Sequence, residues 1–338
     1  KAIDGKLAAK YPSFRFLKIP GAPLIMTPHG LLRFIVAQSQ GLLFSLKLVR
    51  RERPAGIIGF GGFTTAAIIV AGWLTRVPVM LHEANRVPGR AVRTLAKFAR
   101  RVFLPIGVDL PQANPEKLRH AGLPVRAEIE RMPRCEAADV FGLDPNRVTV
   151  GVLGGSQGAS ALNNWATQSA GAFALRGIQM LTITGPDKEV EAPVELRDEN
   201  GIEVKSVTLP FCDNIAAFLS VCDLVVSRAG AGTLAEIVHC GVPAVLVPYP
   251  HAADNHQAAN AAEFSRLIGS LVLDEQELET LLPAVLELVS DAGRLQQARA
   301  NVRSVSRLDT LDLMLADIEA LAEGRETVSQ SGPRMQPA

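Results

Sequence analysis

Five short stretches of this 338-residue chain combine glycines, hydroxyls, carboxylates and imidazoles at spacings that can do chemistry. The first is Gly59-Phe60-Gly61-Gly62-Phe63-Thr64-Thr65. Paired glycines such as Gly61 and Gly62 let a backbone approach a ligand closely, and a following helix start favours an anion. A plain strand-to-helix turn would use the same residues. The second runs from Gly151 to Ser160 and contains Gly154, Gly155, Ser156 and Gly158. Its glycines miss the G-x-G-x-x-G offsets, and no G-K-[ST] follows, which disfavours a dinucleotide or a P-loop ATPase. A diphosphate held by backbone amides and the Ser156 hydroxyl fits better.

The third stretch, Ser227 to Glu236, is a small-residue loop entering a helix with an acid close behind. Glu236 can accept two hydrogen bonds from neighbouring ribose hydroxyls. Equally, Thr233 and Glu236 have the spacing of an N-cap and its capping-box partner. The fourth, Pro248 to Asn260, concentrates His251, Asp254, Asn255, His256, Gln257 and Asn260. The spacing of its two histidines suits sugar recognition better than a metal. The fifth, His82-Glu83-Ala84-Asn85, is not H-E-x-x-H, so zinc proteolysis is not indicated. Its polar groups are costly to bury unless they face a site.

Each stretch follows a short apolar run and precedes a helical one. Strands are expected over 56–60, 77–81, 101–104, 148–153, 180–184, 224–227 and 244–247. Helices are expected over 64–75, 88–100, 213–221, 233–240 and 254–264. Apolar strands alternating with helices predict parallel sheets covered on both faces, whose ligands lie beyond the carboxyl ends of the strands. The stretch 129–146, with Pro133, Pro145 and several charges, reads as an interdomain linker.

The composition is that of a globular protein, 48% hydrophobic and 20% charged. No uninterrupted apolar run approaches the roughly 18 residues of a membrane span, and the start shows no signal-peptide pattern. The chain does not begin with Met, so an upstream segment is expected. Cys135, Cys212, Cys222 and Cys240 form no C-x-x-C pair, which fits reduced thiols. The net charge of +1 hides a split: residues 1–134 hold 22 Lys/Arg against 7 Asp/Glu, a net of +15, and residues 135–338 hold 13 against 27, a net of −14. A basic half suits a phosphorylated substrate or an anionic membrane. Only two Trp and two Tyr, and no nucleic-acid-binding motif, argue against nucleic acid.

Six segments together resemble the MurG family of N-acetylglucosaminyltransferases: G-F-G-G-F (59–63), H-E-A-N (82–85), L-P-V-R (123–126), G-G-S-Q-G-A (154–159), R-A-G-A-G-T-L-A-E (228–236) and H-A-A-D-N-H-Q-x-x-N-A (251–261). The resemblance spans residues 10–320. It implies an α/β fold of the GT-B type, with two Rossmann-like parallel-sheet domains facing across a cleft. Residues 1–130 would form the acceptor and membrane-side domain and 131–307 the donor domain. A helix at 308–323 would pack back on the first domain, and 324–338 would form a disordered tail. The family's first Gly-rich loop, G-G-T-G-G-H, has no counterpart. Residues 1–25 match the segment that follows it, so the first strand, that loop and its candidate general-base His are expected to be missing.

The resemblance implies an inverting transfer of N-acetylglucosamine from UDP-N-acetylglucosamine to the 4-hydroxyl of an undecaprenyl-pyrophosphate-linked muramyl-pentapeptide, for peptidoglycan. Ser156 would touch the diphosphate, with Gly61, Gly62, Gly154, Gly155 and Gly158 in the phosphate loops. Ala231, Gly232, Thr233, Leu234, Ala235 and Glu236 would hold the nucleoside, and the backbone of Cys212 would read uracil. Gln257, supported by His256, would bind the sugar hydroxyls, with Asn85 and Arg126 also on the donor. His82 and Glu83 would serve the acceptor side. No cofactor and no obligatory metal are implied, in keeping with the lack of a D-x-D motif. Leu32, Phe34, Ile35 and Trp73 would face an anionic membrane at the cytoplasmic side of the plasma membrane, with cell-wall synthesis proteins as partners. A core helix with a solvated basic end is the alternative for the first three. Rival functions are a related lipid glycosyltransferase, a UDP-sugar epimerase, a non-catalytic UDP-sugar-binding protein and, more distantly, an NAD-dependent oxidoreductase.

Overall fold

The computed structural model describes residues 10–154, 160–186, 195–305 and 310–325. Two all-parallel sheets organise them. The first contains β1 (Ile57–Gly59), β2 (Val79–His82), β3 (Arg101–Leu104) and β4 (Leu118–His120), in that spatial order. The second contains β5 (Thr149–Leu153), β6 (Gln179–Ile183), β7 (Ser206–Leu209), β8 (Leu224–Ser227) and β9 (Ala244–Leu246), in the order β7-β6-β5-β8-β9. Every residue of β5, β6 and β8 is buried. That is why these strands read as unbroken apolar runs: helices cover both faces.

In the first half the helices are α1 (Pro28–Glu52), α2 (Thr65–Leu74) and α3 (Arg90–Leu95). The second half has α4 (Arg134–Phe141), α5 (Ser160–Leu175), α6 (Ile215–Val221), α7 (Ala231–Cys240), α8 (His256–Ile268), α9 (Leu278–Ser290) and α10 (Ala292–Val305). A last helix, α11 (Thr310–Ala322), returns to the first sheet. Its Met314 and Leu321 pack with Met80 and Phe103, and its Asp317 pairs with Arg101 at 3.3 Å and Arg119 at 3.6 Å. Side chains alternate along the second sheet. Leu153, Leu181 and Val225 face Phe218 on one side; Val152, Met180 and Val226 face Trp165 and Phe173 on the other.

The two-sheet architecture is the expected one, but several elements differ from the sequence reading. The stretch 129–146 is not a loose linker. It contains α4, whose Ala137 and Ala138 are fully buried against the α6 side of the second sheet. Arg134 anchors that helix by a bidentate pair with Asp223, 3.0 and 2.8 Å long. Strands β4 and β7 lie at sheet edges, where their half-buried residues leave no apolar run to detect. Helix α1 spans 25 residues and, by length and composition, is long enough to cross a membrane, with 17% of its apolar window buried. The sequence reading looked for an uninterrupted apolar run and so passed over it. Of the expected tail 324–338, residues 326–338 lie outside the described residues. All four cysteines are free; Cys135 is exposed on α4 and the others are buried.

Gly151 in β5 is a close-approach position: a Cβ there would meet Cys222 Sγ at 2.5 Å and Phe218 Cζ at 2.9 Å. Gly171 on α5 is exposed, with nothing within 4 Å of its would-be Cβ. In urea unfolding, Gly151→Ala is expected to destabilise by about 1–3 kcal/mol through overpacking. Gly171→Ala is expected to stabilise by up to about 1 kcal/mol through helix propensity.

Candidate functional site

In the second sheet the strand order reverses between β5 and β8, so the crevice for a ligand opens beyond their carboxyl ends. Gly154 follows β5 and is buried; Gly155, Ser156 and Gly158 lie outside the described residues. After β8, Gly230 is the N-cap of α7 and makes no side-chain capping bond. The first ladder bond is Leu234 N to Gly230 O, 3.0 Å, so the N–H groups of Ala231, Gly232 and Thr233 begin the helix without an α-helical acceptor. A Cβ at Gly232 would meet nothing within 4 Å. Among the described residues nothing crowds Gly232 at this helix start, as an anion site there requires.

This start rules out one of the two readings of Thr233 and Glu236. Thr233 is the third helical residue, not the N-cap, so no capping box forms. The half-buried Glu236 carboxylate instead meets Arg126, with Nη2 3.5 Å from Oε1. Burial pushes its pKa up, and Arg126 pulls part of that back. One turn on, burial and then Glu236 push the Cys240 thiol up to about 11. Leu234 turns its side chain into the core and Ala235 stays half-buried, so those two can offer a ligand little beyond backbone.

Buried Arg228 shapes the neighbouring loop. It donates to the carbonyls of Val247 (3.0 Å) and Pro248 (3.2 Å), pairs with Glu275 and lies 5.5 Å from the Tyr249 ring. Gln257 accepts from Tyr249 N–H at 3.0 Å, and His256 Nδ1 lies 2.7 Å from the carbonyl of Ala253. Both therefore brace the 248–257 loop, and α8 begins at His256. Cys212, after β7, is buried, and its thiol donates to Asn214 O at 3.3 Å.

Across the cleft, Gly61 and Gly62 adopt φ of +82° and +80°, a left-handed pair that other residues resist. His82 ends β2, 2% exposed, with Nε2 3.2 Å from the Gly122 carbonyl. Burial lowers its pKa, which keeps the ring neutral near pH 7. The Glu83 carboxylate accepts from Asn85 N (2.9 Å), Asn85 Nδ2 (3.0 Å) and Gly89 N (2.7 Å). It clamps its own loop. Of the surface residues, Leu32, Ile35 and Trp73 are 50–61% exposed; Phe34 is half-buried, and the Trp73 ring lies 4.9 Å from that of Phe98, tilted by 54°.

A residue to which the sequence reading gave no role joins the two sides. Asn260, 4% exposed on α8, accepts from Arg86 N at 2.9 Å. Its Nδ2 donates to Asn85 Oδ1 at 3.2 Å and to Ala229 O at 3.0 Å. One carboxamide thus ties the loop before α7 to the His82–Asn85 loop. Around it, Arg86 pairs with Glu263 at 3.4 Å and Arg93 with Asp254 at 3.1 Å. Its place in the 251–261 segment marked it as notable, but its partners lie 174 and 175 residues away.

Comparison with known proteins follows the same lines. Residues 5–104 match the glycosyltransferase family 28 N-terminal domain and residues 149–312 the family 28 C-terminal domain. The chain is 46% identical over 321 residues to a UDP-N-acetylglucosamine–N-acetylmuramyl-(pentapeptide) pyrophosphoryl-undecaprenol N-acetylglucosamine transferase of Opitutus terrae, covering 95% of this chain and 85% of that one. It is 31% identical to the enzyme of that name from Protochlamydia amoebophila, over 86% and 78% of the two chains. Among solved structures, MurG of Acinetobacter baumannii superposes with a TM-score of 0.64 at 21% identity, covering 93% and 87%. A putative UDP-N-acetylglucosamine 2-epimerase of Listeria monocytogenes shares the fold at a TM-score of 0.62 and 14% identity, covering 86% and 81%.

The carboxamide of Asn260 gives a direct test. Asn260→Asp still accepts from Arg86 N but turns a carboxylate toward two acceptors, Asn85 Oδ1 and Ala229 O. The change is expected to cost about 1–3 kcal/mol in urea unfolding. Amide exchange at Asn85 and Gly89 should speed up as the loop loosens.

Proposed function

The chain belongs to the UDP-N-acetylglucosamine–N-acetylmuramyl-(pentapeptide) pyrophosphoryl-undecaprenol N-acetylglucosamine transferases of glycosyltransferase family 28, and on that premise we propose how its residues divide the reaction. It transfers N-acetylglucosamine from UDP-N-acetylglucosamine to the lipid-linked muramyl-pentapeptide. The carrying observation is the start of α7, with three amides lacking an α-helical acceptor and the Glu236–Arg126 pair one turn on, set against the His82–Asn85 loop.

In our reading the second sheet holds the donor. Glu236 accepts from the ribose hydroxyls, with Arg126 held beside them. The backbone at Cys212 reads the base. Ser156 and the 154–158 loop, with the free amides of α7, take the diphosphate, on which charge grows as the sugar departs. Fixed dipoles aimed at that charge stabilise the transition state without reorganising. Gln257, braced with His256, meets the sugar hydroxyls. The first sheet presents the acceptor: its 4-hydroxyl attacks the anomeric carbon, the bond to UDP breaks with inversion, and the hydroxyl proton passes to a base. Glu83 has three N–H donors on its carboxylate and His82 is buried, so we assign them to positioning the acceptor wall rather than to receiving that proton.

We also propose that α1 lies along an anionic membrane. Leu32, Ile35, Val36 and Leu43 are exposed, while Gly41, Ser45 and Val49 face inward. Arg33, Lys47, Arg50 and Arg51 flank the apolar side chains. Each cation near an anionic surface adds about 1 kcal/mol. A helix bearing this many charges and packed on α2 suits the interface rather than a span.

Two measurements test these readings. Calorimetric titration should show selective binding of UDP-N-acetylglucosamine over UDP-N-acetylgalactosamine and NAD. Glu236→Ala is expected to weaken it by about 1.5–3 kcal/mol, the range for hydrogen bonds to a charged group. Undiminished binding by that variant would remove Glu236 from the donor site. Leu32→Asp with Ile35→Asp should sharply weaken co-sedimentation with phosphatidylglycerol vesicles and leave donor affinity unchanged; unaltered sedimentation would sink the membrane reading.

A further inference from the structure

At the end of the second sheet opposite the cleft lies a cavity of about 420 Å³, beside the amino ends of β5 and β8. Arg131, Arg134, Arg147 and Arg299 line it, with Asp223 as the carboxylate among them. That carboxylate is fully engaged. Arg134 grips it with both Nη groups, Arg299 pairs with it, and Thr149 N donates to Oδ2 at 2.9 Å. Arg147 is paired with Asp198 at 3.2 Å and Asp144 at 3.7 Å.

Arg131 has no carboxylate partner among the described residues, and nor does Arg303. Burial first, then the cations Arg303 and Arg299 and, more weakly, Arg134, hold the Arg131 pKa below the usual guanidinium value, with Cys240 pulling the other way. Arg131 and Arg303 converge over Gly241, at the carboxyl end of α7. A Cβ there would meet Arg303 Nε at 3.3 Å and Arg131 Nη1 at 3.8 Å. A helix carboxyl end carries only about half an elementary negative charge. It cannot neutralise two guanidiniums that already repel a third.

We propose that this cavity is a binding site for a phosphate-bearing ligand, gripped by Arg131 and Arg299 in its wall with Arg303 reaching in from beside Arg131. Guanidinium forks match phosphate oxygens two at a time, and a dianion would relieve the repulsion that the protein leaves in place. The three arginines stand at the far end of α7 from the helix start assigned above to UDP. The site is therefore separate from the donor pocket. A soluble diphosphate and a lipid phosphate headgroup share the required chemistry.

The test uses the full chain in phosphate-free buffer, with UDP-N-acetylglucosamine saturating the donor site and inorganic pyrophosphate as calorimetric titrant. One further pyrophosphate should bind, weakened at least about tenfold, or 1.4 kcal/mol, by Arg131→Ala with Arg303→Ala. In a second arm, phosphatidylglycerol vesicles are sedimented with the Leu32→Asp, Ile35→Asp chain, with and without the two arginine changes. Arginine-dependent pyrophosphate binding supports the site with a soluble ligand. Arginine-dependent vesicle binding alone supports it with a headgroup. Binding that ignores these arginines in both arms overturns it. The double variant is expected to melt no lower than its parent, because repulsion is removed. Should it unfold, Arg131→Lys keeps the charge, loses the fork and decides the question. Failure of UDP-N-acetylglucosamine to bind would count against the donor reading alone, since the arginine dependence is scored separately.

Discussion

Everything chemical in this molecule depends on the loops beyond the carboxyl ends of two separate parallel sheets being held against one another, and a single buried carboxamide spans them. Asn260 uses one acceptor and both donors, each on a different backbone or side-chain partner, and two of the three lie across the cleft. A buried amide left half-satisfied is expensive, so the meeting geometry is sharply defined. The ion pairs around it, Arg86–Glu263 and Arg93–Asp254, are more exposed and contribute less.

From that junction the charge split gains a structural meaning. The basic half carries α1 and its exposed apolar row, whereas the acidic half carries the crevice proposed for the donor. Cations gathered on one body attract an anionic surface. In the proposed reading the acidic body receives the diphosphate through a local device, the uncapped amides at the start of α7, while Arg126, from the connection leaving the first sheet, stands beside Glu236. Long-range field and short-range grip are thus assigned to different halves.

How much of this was legible in the sequence follows from where the information sits. The central strands were clear because burial on both faces leaves an unbroken apolar run, as in Val150-Gly151-Val152-Leu153. The loops at their ends were clear because glycines, hydroxyls and acids are out of place beside such runs. Edge strands β4 and β7 were not, since half-buried positions mix residue types. Helix α4 hides among charges because only Ala137 and Ala138 are buried, and its anchor, Asp223, is 89 residues from Arg134. Thr233 and Glu236 show the same limit: their spacing is that of a cap, and only the observed helix start at Ala231 frees the carboxylate. Pairings across long stretches of chain, such as Asn260 with Asn85 at 175 residues, have no local signature.

The return of α11 to the first sheet has a mechanical consequence. The chain passes between the two bodies twice, once ahead of α4 and once between Val305 and Thr310. Each crossing has an ion pair within one body close by, Arg134 on Asp223 in the second and Asp317 on Arg101 and Arg119 in the first. Two bodies joined by two covalent connections can move relative to one another only in ways that strain neither.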